Sequence, residues 1–484
     1  MKRFFNKYIS SLLLCGGVLF TSCDKFLDIQ PAGQLEQDKM FGDIQGFRDA
    51  MYGAYSSMAQ TNLYGEALSY GFLDNLGQMF GYDNAANLSY YSTQYDYKRK
   101  EVKDVIDNIW ASQYQTISYV NNIIAHINST SIKSKELDYM KGECLGLRAF
   151  LHFDVARLFA EDYTRSTSST RGIPYSTTFD LNNKELLTLH KTYEAILADL
   201  NEAETLLAND TVVNVETSPS SDYLKGRGVL FNKYAVAATK ARVYYAMGNY
   251  TEAARYAQQV LDATSNFKLK KLSSLDDVKR YPANGEMIFG LYNDKLSSNI
   301  SEMFLNATSR GNFTEARRDI EDLYDKSSLS ATSTDLRLTT YYREATAVSS
   351  GKTFSFVRFI ETTAAVTNSP LKGITLIRLP EMYYILAEAN YDTNPTKAVQ
   401  YLNDVRNSRG LEDVNANKTS SKEAFEKELM RERMREMPGE GQVFYALKHF
   451  NRSFTDYRNM VTFQPSSTIF VLPWPEKELE FGNK

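Results

Sequence analysis

The sequence predicts a mainly α protein: a scaffold of paired helices that carries two large irregular excursions and only minor β-strand content. Three observations lead there. Apolar residues recur with a helical period over most of the 484 residues. The helical segments come in neighbouring pairs, joined by short turn signals such as Gly248-Asn249. Two stretches, 64–100 and 269–369, lack that period and are rich in Gly, Asn, Ser, Thr and aromatic residues, which reads as long loops with short strands. Their aromatic content argues against disorder, and loops of that length on a rigid scaffold are where function is expected.

In chain order, a targeting segment comes first. Lys2, Arg3 and Lys7 form a basic start, Ile9 to Phe20 is mostly apolar, and Phe20-Thr21-Ser22-Cys23 is a loose lipobox. The apolar run is too short for a stable membrane-spanning helix, so residues 1–22 are expected to be a lipoprotein signal peptide, with Cys23 as the lipidated first residue of a single domain over 23–484. Each buried CH₂ contributes roughly 0.8 kcal/mol, and two or more acyl chains hold stably where one does not.

The helices follow. In Val105 to Ile127 the residues Trp110, Tyr114, Ile117, Asn121 and Ile124 share one face, so Asn121 points toward packed structure and should hydrogen-bond to nearby backbone. From about Lys135 to Ala160, Leu145, Ala149, Phe153 and Ala156 occupy one face and Leu147, Phe150, Leu151, Val155 and Leu158 the others, the pattern of a helix sandwiched between neighbours. Phe231 to Met247 turns at Gly248-Asn249 into Tyr250 to Leu261. The small residues Ala238, Ala241, Ala254 and Ala257 let that pair approach closely, and the stretch resembles half of a tetratricopeptide repeat. In a second pair, Pro380 and Pro395 sit at helix starts, Asn394 is an N-cap and Gly410 ends the helix holding Ala398, Leu402 and Val405. The last long helix opens at a capping box, Ser420-x-x-Glu423, and runs through Phe425, Leu429 and Met434.

Composition excludes several functions. A net charge of −4, with no basic tract after the signal, argues against a nucleic-acid surface. Of three cysteines, Cys15 leaves with the signal and Cys23 is lipidated, so Cys144, in an apolar helix, reads as a buried structural thiol. His126, His152, His190 and His449 match no metal-ligand spacing, and no nucleophile motif, phosphate-binding loop or Cys-His constellation is present. Neither a metal nor a cofactor is predicted, and no catalysis. With 59 carboxylates no acid pair can be singled out, and Glu428, Arg431, Glu432, Arg435 and Glu436 read as i,i+3 and i,i+4 pairs on a solvated helix face.

The aromatic loop residues remain. Sugar rings present apolar C–H faces edged by hydroxyls, which suits a stacking ring flanked by amides and carboxylates. The chain has 33 Tyr and 2 Trp, making Tyr the expected platform. Tyr82, Asp83, Asn84, Tyr90 and Tyr91 in the first excursion, and Tyr281, Tyr292, Asn293 and Phe313 in the second, have that composition, with structural packing of the loops as the alternative use. Trp110 lies on a helix face and Trp474 between two prolines, so neither is a stacking candidate.

Ordered segments along nearly the whole chain carry a resemblance. They are Cys23-Asp-Lys-Phe-Leu-Asp-Ile-Gln-Pro31, Trp110-x-x-x-Tyr114 with Asn121-Asn122, Glu143-x-x-x-x-Arg148-Ala-Phe-Leu-His-Phe-Asp154 and Ala237-Ala-Thr-Lys-Ala-Arg-Val-Tyr-Tyr245. Further on come Arg378-Leu-Pro-Glu-Met-Tyr-Tyr-Ile-Leu-Ala-Glu-Ala389, Leu402-Asn-x-Val-Arg-x-x-Arg409, Glu432-Arg-Met-Arg-Glu436 with Glu440-Gly441, and Leu472-Pro473 before Glu478. In these the chain resembles the SusD/RagB family of outer-membrane nutrient-binding lipoproteins of Bacteroidota. The resemblance implies a tetratricopeptide-like fold, a lipid anchor at the outer-membrane cell surface, a lid-like partnership with a SusC-like TonB-dependent outer-membrane transporter, and capture of an oligosaccharide. Two motifs depart from the family pattern, at Glu440-Gly-Gln-Val443 with Ala446-Leu-Lys-His449 and at Ala160-Glu-Asp-Tyr163. Both belong to the scaffold and leave the ligand open: a peptide, a helical-repeat interaction scaffold without a small ligand, and a surface hydrolase are the other readings.

Overall fold

Side-chain caps written into the sequence set where the helices begin. In the computed structural model, which describes residues 39–83, 87–210, 222–225, 227–271, 285–306, 314–326, 334–347, 351–360 and 373–482, the longer helices are α1 (Ile44–Met58), α2 (Lys100–Ser129), α3 (Lys135–Phe159), α4 (Leu189–Leu206), α5 (Lys233–Ala246), α6 (Tyr250–Leu261), α7 (Leu296–Leu305), α8 (Leu379–Tyr391), α9 (Pro395–Ser408), α10 (Lys422–Glu436) and α11 (Gln442–Phe450). Ser134 accepts from the Glu136 amide at α3, Asn232 from Tyr234 and Ala235 at α5, Asn249 from Glu252 at α6 and Asn394 from Lys397 at α9. Gly248 (φ +71°) makes the α5–α6 turn and Gly410 (φ +88°) follows α9, both in the left-handed region that disfavours a Cβ. The expected capping box does not form: Ser421, one residue later, caps α10 through the Ala424 amide at 3.2 Å.

The chain divides into two compact units, Met1–Phe47 and Arg48–Lys484. In the described part of the first, the Phe41 and Phe47 rings lie 4.9 Å apart. The second is the helical scaffold. α3 packs between α2 and α4, α4 continues onto α5, α5 pairs with α6, α6 lies on α8, α8 pairs with α9 and also meets α10, and α10 packs on α11. The sandwiched helix is α3, whose residues from Gly142 to Ala156 are all buried. Gly146 lets it lie against Phe231: a Cβ there would come within 2.3 Å of that ring. Asn121 is satisfied as expected, donating to the Ser176 carbonyl at 3.0 Å and accepting from Arg148 at 3.0 Å. Cys144 is fully buried with its Sγ 3.3 Å from Met51 Sδ, and burial pushes its thiol well up. The two tryptophan rings pack at 4.8 Å in the core, where Trp474 donates to the Phe159 carbonyl.

Minor β structure comes as five two-stranded antiparallel ladders among the described residues. The strands are β1 (Phe80–Gly81), β2 (Arg171–Pro174), β3 (Leu186–Thr188), β4 (Met287–Tyr292), β5 (Glu315–Ala316), β6 (Tyr342–Ala347), β7 (Gly351–Phe356), β8 (Gly373–Arg378), β9 (Phe454–Thr455) and β10 (Thr462–Phe463). β4 pairs with β8 and β6 with β7, whereas β1 pairs with β5, Phe80 opposite Ala316. That last ladder ties the two excursions together.

Two expectations need correction. The first excursion is more than a long loop with a short strand: around β1 it folds into the helical turns Phe72–Leu76 and Leu88–Thr93, and Leu73, Leu76, Met79 and Phe80 are fully buried. Asp74 anchors it by accepting the Gly439 and Gly441 amides, and burial pushes that carboxyl well up. Its apolar residues have no single period because they meet partners on several sides.

The second correction concerns α10, whose charged stretch is not a solvated face. Glu432 and Glu436 have no exposure, and Glu428 and Arg435 are buried with them. Glu436 accepts from Arg337 at 2.9 Å, from Arg378 and from Arg409 at 2.8 Å, and Glu432 accepts from Arg337 at 2.6 Å and from Arg406 and Arg435 at 3.3 Å. Arg378 also reaches Glu286 and Glu440. The i,i+3 pair of Glu432 with Arg435 forms as the spacing predicts, but the other partners come from strands and helices far away in sequence and bury the face that helical spacing alone leaves to water. The surrounding guanidiniums hold Glu436 well below the usual carboxylate range and Glu432 at about 2, against the burial that raises both.

Candidate functional site

Where the β1–β5 ladder joins the excursions, they enclose a cleft of about 290 Å³ with α2 and α7. Phe72, Leu88, Val105 and Met303 supply its apolar surface. Three polar groups on its lining are buried and have no hydrogen-bond partner: Asn75 Oδ1, Ser89 Oγ and Thr314 Oγ1. These residues are only 5%, 2% and 2% exposed. An unsatisfied buried polar group costs about 1–3 kcal/mol, so three in residues that line one cleft single it out as the candidate site.

Local structure holds each group in place. Asn75 sits in the Phe72–Leu76 turn, its amide bonded to the Gly71 carbonyl at 3.1 Å. Asn87 caps the Leu88–Thr93 helix by accepting from the Ser89 amide at 2.7 Å, which fixes Ser89 in the first turn. The Thr314 amide donates to the Met303 carbonyl at 3.2 Å and pins the start of β5 to the end of α7. Asn62, Glu66 and Asn108 add amide and carboxylate groups to the lining. The resulting surface of apolar side chains with hydroxyl, amide and carboxylate groups can hold a polyhydroxylated ligand.

The residues singled out from sequence lie outside this lining where they are described. Tyr82 is half-buried after β1, and Asp83 is exposed, ion-paired with Arg318 and accepting from the Tyr457 hydroxyl. Burial and the Asp83 charge raise Glu315 nearby. Tyr90 and Tyr91 lie in the Leu88–Thr93 helix, next to Ser89, with their rings edge-on at 5.7 Å and the Arg99 guanidinium 4.4 Å over Tyr91. Tyr292, at the end of β4, is 57% exposed, and Asn293 donates to the Ala59 carbonyl at 3.3 Å, on the segment leading to Thr61 and Asn62 of the cleft. Cys23, Asn84, Tyr281 and Phe313 lie outside the described residues. Asn75, Ser89 and Thr314 were not legible as site residues, since small polar residues are common throughout both excursions. Their adjacency to aromatic candidates, Ser89 to Tyr90 and Thr314 to Phe313, was the one available signal.

A larger groove of about 460 Å³ runs beside α10 and α11. Met430, Met434, Leu447, Phe450 and Phe454 make it apolar, while Arg317, Arg431 and Arg452 on its walls pair with Asp319, Asp325 and Glu426. Among the described residues no helix is long and apolar enough to cross a membrane, and no group of three or more His, Cys, Asp or Glu side chains could hold a metal.

Comparison with known proteins places this arrangement. A family model described as starch-binding associating with outer membrane (SusD-like) matches residues 25–245, and the SusD family model (SusD_RagB) matches residues 255–468. The chain belongs to the SusD/RagB family. A SusD-like protein of Formosa agariphila is 24% identical over 94% of this chain and 93% of its own length. Among solved structures, a SusD superfamily protein from Bacteroides thetaiotaomicron superposes with a TM-score of 0.72 at 21% identity, covering 90% of this chain and 98% of that one. A SusD-like carbohydrate binding protein from Bacteroides vulgatus gives 0.69 at 17% identity, covering 91% and 96%. The helix-pair scaffold is thus the SusD fold, and the SusD family motifs of α3, α5, α8, α9 and α10 are its packing residues.

Proposed function

We propose that this protein captures an oligosaccharide at the cell surface, in the cleft between the two excursions, and passes it unhydrolysed to a TonB-dependent outer-membrane transporter. The observation that carries the reading is the trio of unpartnered buried atoms, Asn75 Oδ1, Ser89 Oγ and Thr314 Oγ1, set among apolar side chains in a cleft large enough for part of a sugar chain. The excursion tyrosines and their Asp and Asn neighbours would extend the contact beyond the cleft. Membership of a family whose model is described as starch-binding supports a carbohydrate, as does the likeness to the carbohydrate binding protein of Bacteroides vulgatus.

Calorimetry with candidate oligosaccharides tests the site. Binding is expected in the range from about micromolar to about millimolar, roughly −8 to −4 kcal/mol. Asn75→Leu and Thr314→Val should each weaken it about 10-fold, because a hydroxyl of the ligand then meets an apolar group, and Tyr91→Ala and Tyr292→Ala should weaken it several-fold through lost stacking. Unchanged affinity in folded Asn75→Leu and Thr314→Val would remove the cleft from the site, and new reducing ends released by the wild-type protein would make it a hydrolase.

The apolar groove beside α10 and α11 favours a protein partner as well. A lipid tether raises the local concentration of two proteins in one membrane without new contacts. Affinity purification from native membranes in mild detergent should recover the transporter. Recovery of other proteins alone, with the transporter expressed, would favour an interaction scaffold.

A further inference from the structure

A second polar cavity, unrelated to the cleft, lies inside the scaffold where α3, α5, α8, α10 and α11 converge. Its volume is about 60 Å³, against about 290 Å³ for the cleft. Its distinguishing feature is a surplus of donors. Arg433 Nε and Nη2, Arg242 Nη1 and Arg157 Nε are all buried without an acceptor, and the Tyr445 hydroxyl is unpartnered beside them.

The three arginines differ in what they already hold. Arg242 is 3% exposed and gives Nε and Nη2 to Glu381 and the Leu376 carbonyl, so only Nη1 remains. Arg157 pairs with Asp154 and lies 3.6 Å over the Tyr445 ring. Arg433, 4% exposed, has no hydrogen-bonded carboxylate among the described residues: the ring faces of Tyr245 and Tyr384 lie at 5.3 and 5.5 Å, and the Glu388 and Glu381 charges act on it only through space. The carboxylate that could serve it, Glu388, is taken by His449 and by the Tyr245 and Tyr250 hydroxyls. Asp162, on the wall, accepts from the Thr164 amide and faces Arg165, while Glu161 is half-exposed. Lys448, buried on the same wall, donates to the Arg157 and Ala160 carbonyls. A buried guanidinium without a hydrogen-bonded counter-charge costs several kcal/mol, and a scaffold that keeps one beside an open cavity is built to be neutralised there.

We propose that this cavity binds a small inorganic oxyanion, such as sulfate or phosphate, whose oxygens accept from the free N–H groups of Arg433, Arg242 and Arg157. The cavity is too small for a sugar ring, so the anion is a free ion and not a substituent of the captured ligand. The carboxylates Glu381 and Asp162 on the wall are already bonded to Arg242 and to Thr164 and Arg165, so the four free donors fit the oxygens of a tetrahedral anion. Burial lowers the Lys448 ammonium to about 7, against the neighbouring Asp162 and Glu161 carboxylates that raise it.

Thermal unfolding of the mature protein, with up to about 10 mM sulfate or phosphate against chloride of equal ionic strength, is the test. At this concentration general salting effects are small. The wild type should show a saturable rise of about 3–5 °C in Tm near 100-fold excess over Kd. Arg433→Met, which replaces the unpaired charge by an apolar side chain, should fold at least as stably in chloride and lose the anion response. No response beyond chloride in the wild type, or the same response in the variant, overturns the proposal and leaves a hydrated cavity. If Arg433→Met does not fold, wild-type crystals soaked in selenate decide: an anomalous peak within hydrogen-bond distance of Arg433 supports the site, and its absence refutes it.

Discussion

Glu436→Gln should lose about 3–5 kcal/mol of folding stability, because an uncharged amide then sits among Arg337, Arg378 and Arg409 with none of them able to reach water. The side chain keeps its shape, so packing is preserved and the loss reports the charge together with one acceptor, since both carboxylate oxygens accept from guanidiniums and one becomes an NH2 donor. Urea unfolding should show a lower midpoint at an unchanged slope. A loss below about 1 kcal/mol would mean that the arginines find other partners and that the cluster is not the clamp its geometry suggests. The same residues set the acid limit. Glu432 and Glu436 have folded pKa values below their unfolded ones, so their contribution is fully present above about pH 5, beyond the ordinary glutamate value of about 4.3, and is lost as pH falls toward about 2, where Glu432 takes up its proton in the folded state. Stability of the wild type should therefore drop steeply between these limits, and Glu436→Gln should drop less steeply because one of the two groups no longer titrates.

Cys23→Ala should move the protein from the membrane fraction to the soluble fraction without unfolding it. The expected anchor is two or more acyl chains on Cys23, and none of the described helices can replace it by spanning a bilayer. Globomycin should leave the precursor uncleaved if the lipoprotein signal peptidase removes residues 1–22. Membrane retention of the unlipidated variant would show that a partner, and not lipid, holds the protein at the membrane.

Helices, caps and turns could be read from sequence because their causes are local. Gly248, Asn249, Asn394, Pro395 and Gly410 each act on backbone within a few residues, and all took the expected positions. Asn121 and Cys144 were also placed correctly, since a helical period shows which side of a helix is packed. The helical turns of the first excursion were missed because its apolar residues serve several neighbours, and α10 was misread as solvated although Arg435 does pair with Glu428 and Glu432 along the helix. The structure adds Arg337, Arg378, Arg406 and Arg409 from other elements, and they cover that face. The candidate cleft lies between the two excursions but is lined by none of the described residues singled out from sequence. Its defining atoms, on Asn75, Ser89 and Thr314, are ordinary in sequence and become distinctive by lacking partners once folded.

The sequence by itself determined the family, the paired-helix scaffold and the two excursions, because periodicity, capping and motif order are properties of neighbouring residues. Tertiary structure alone decided which charges are buried and which polar groups are left unsatisfied. Whether Glu436 faces water or three guanidiniums, and whether Ser89 or Arg433 has a partner, depends on segments tens to hundreds of residues away arriving at the same place, and hydrogen bonding and desolvation act only over that final distance.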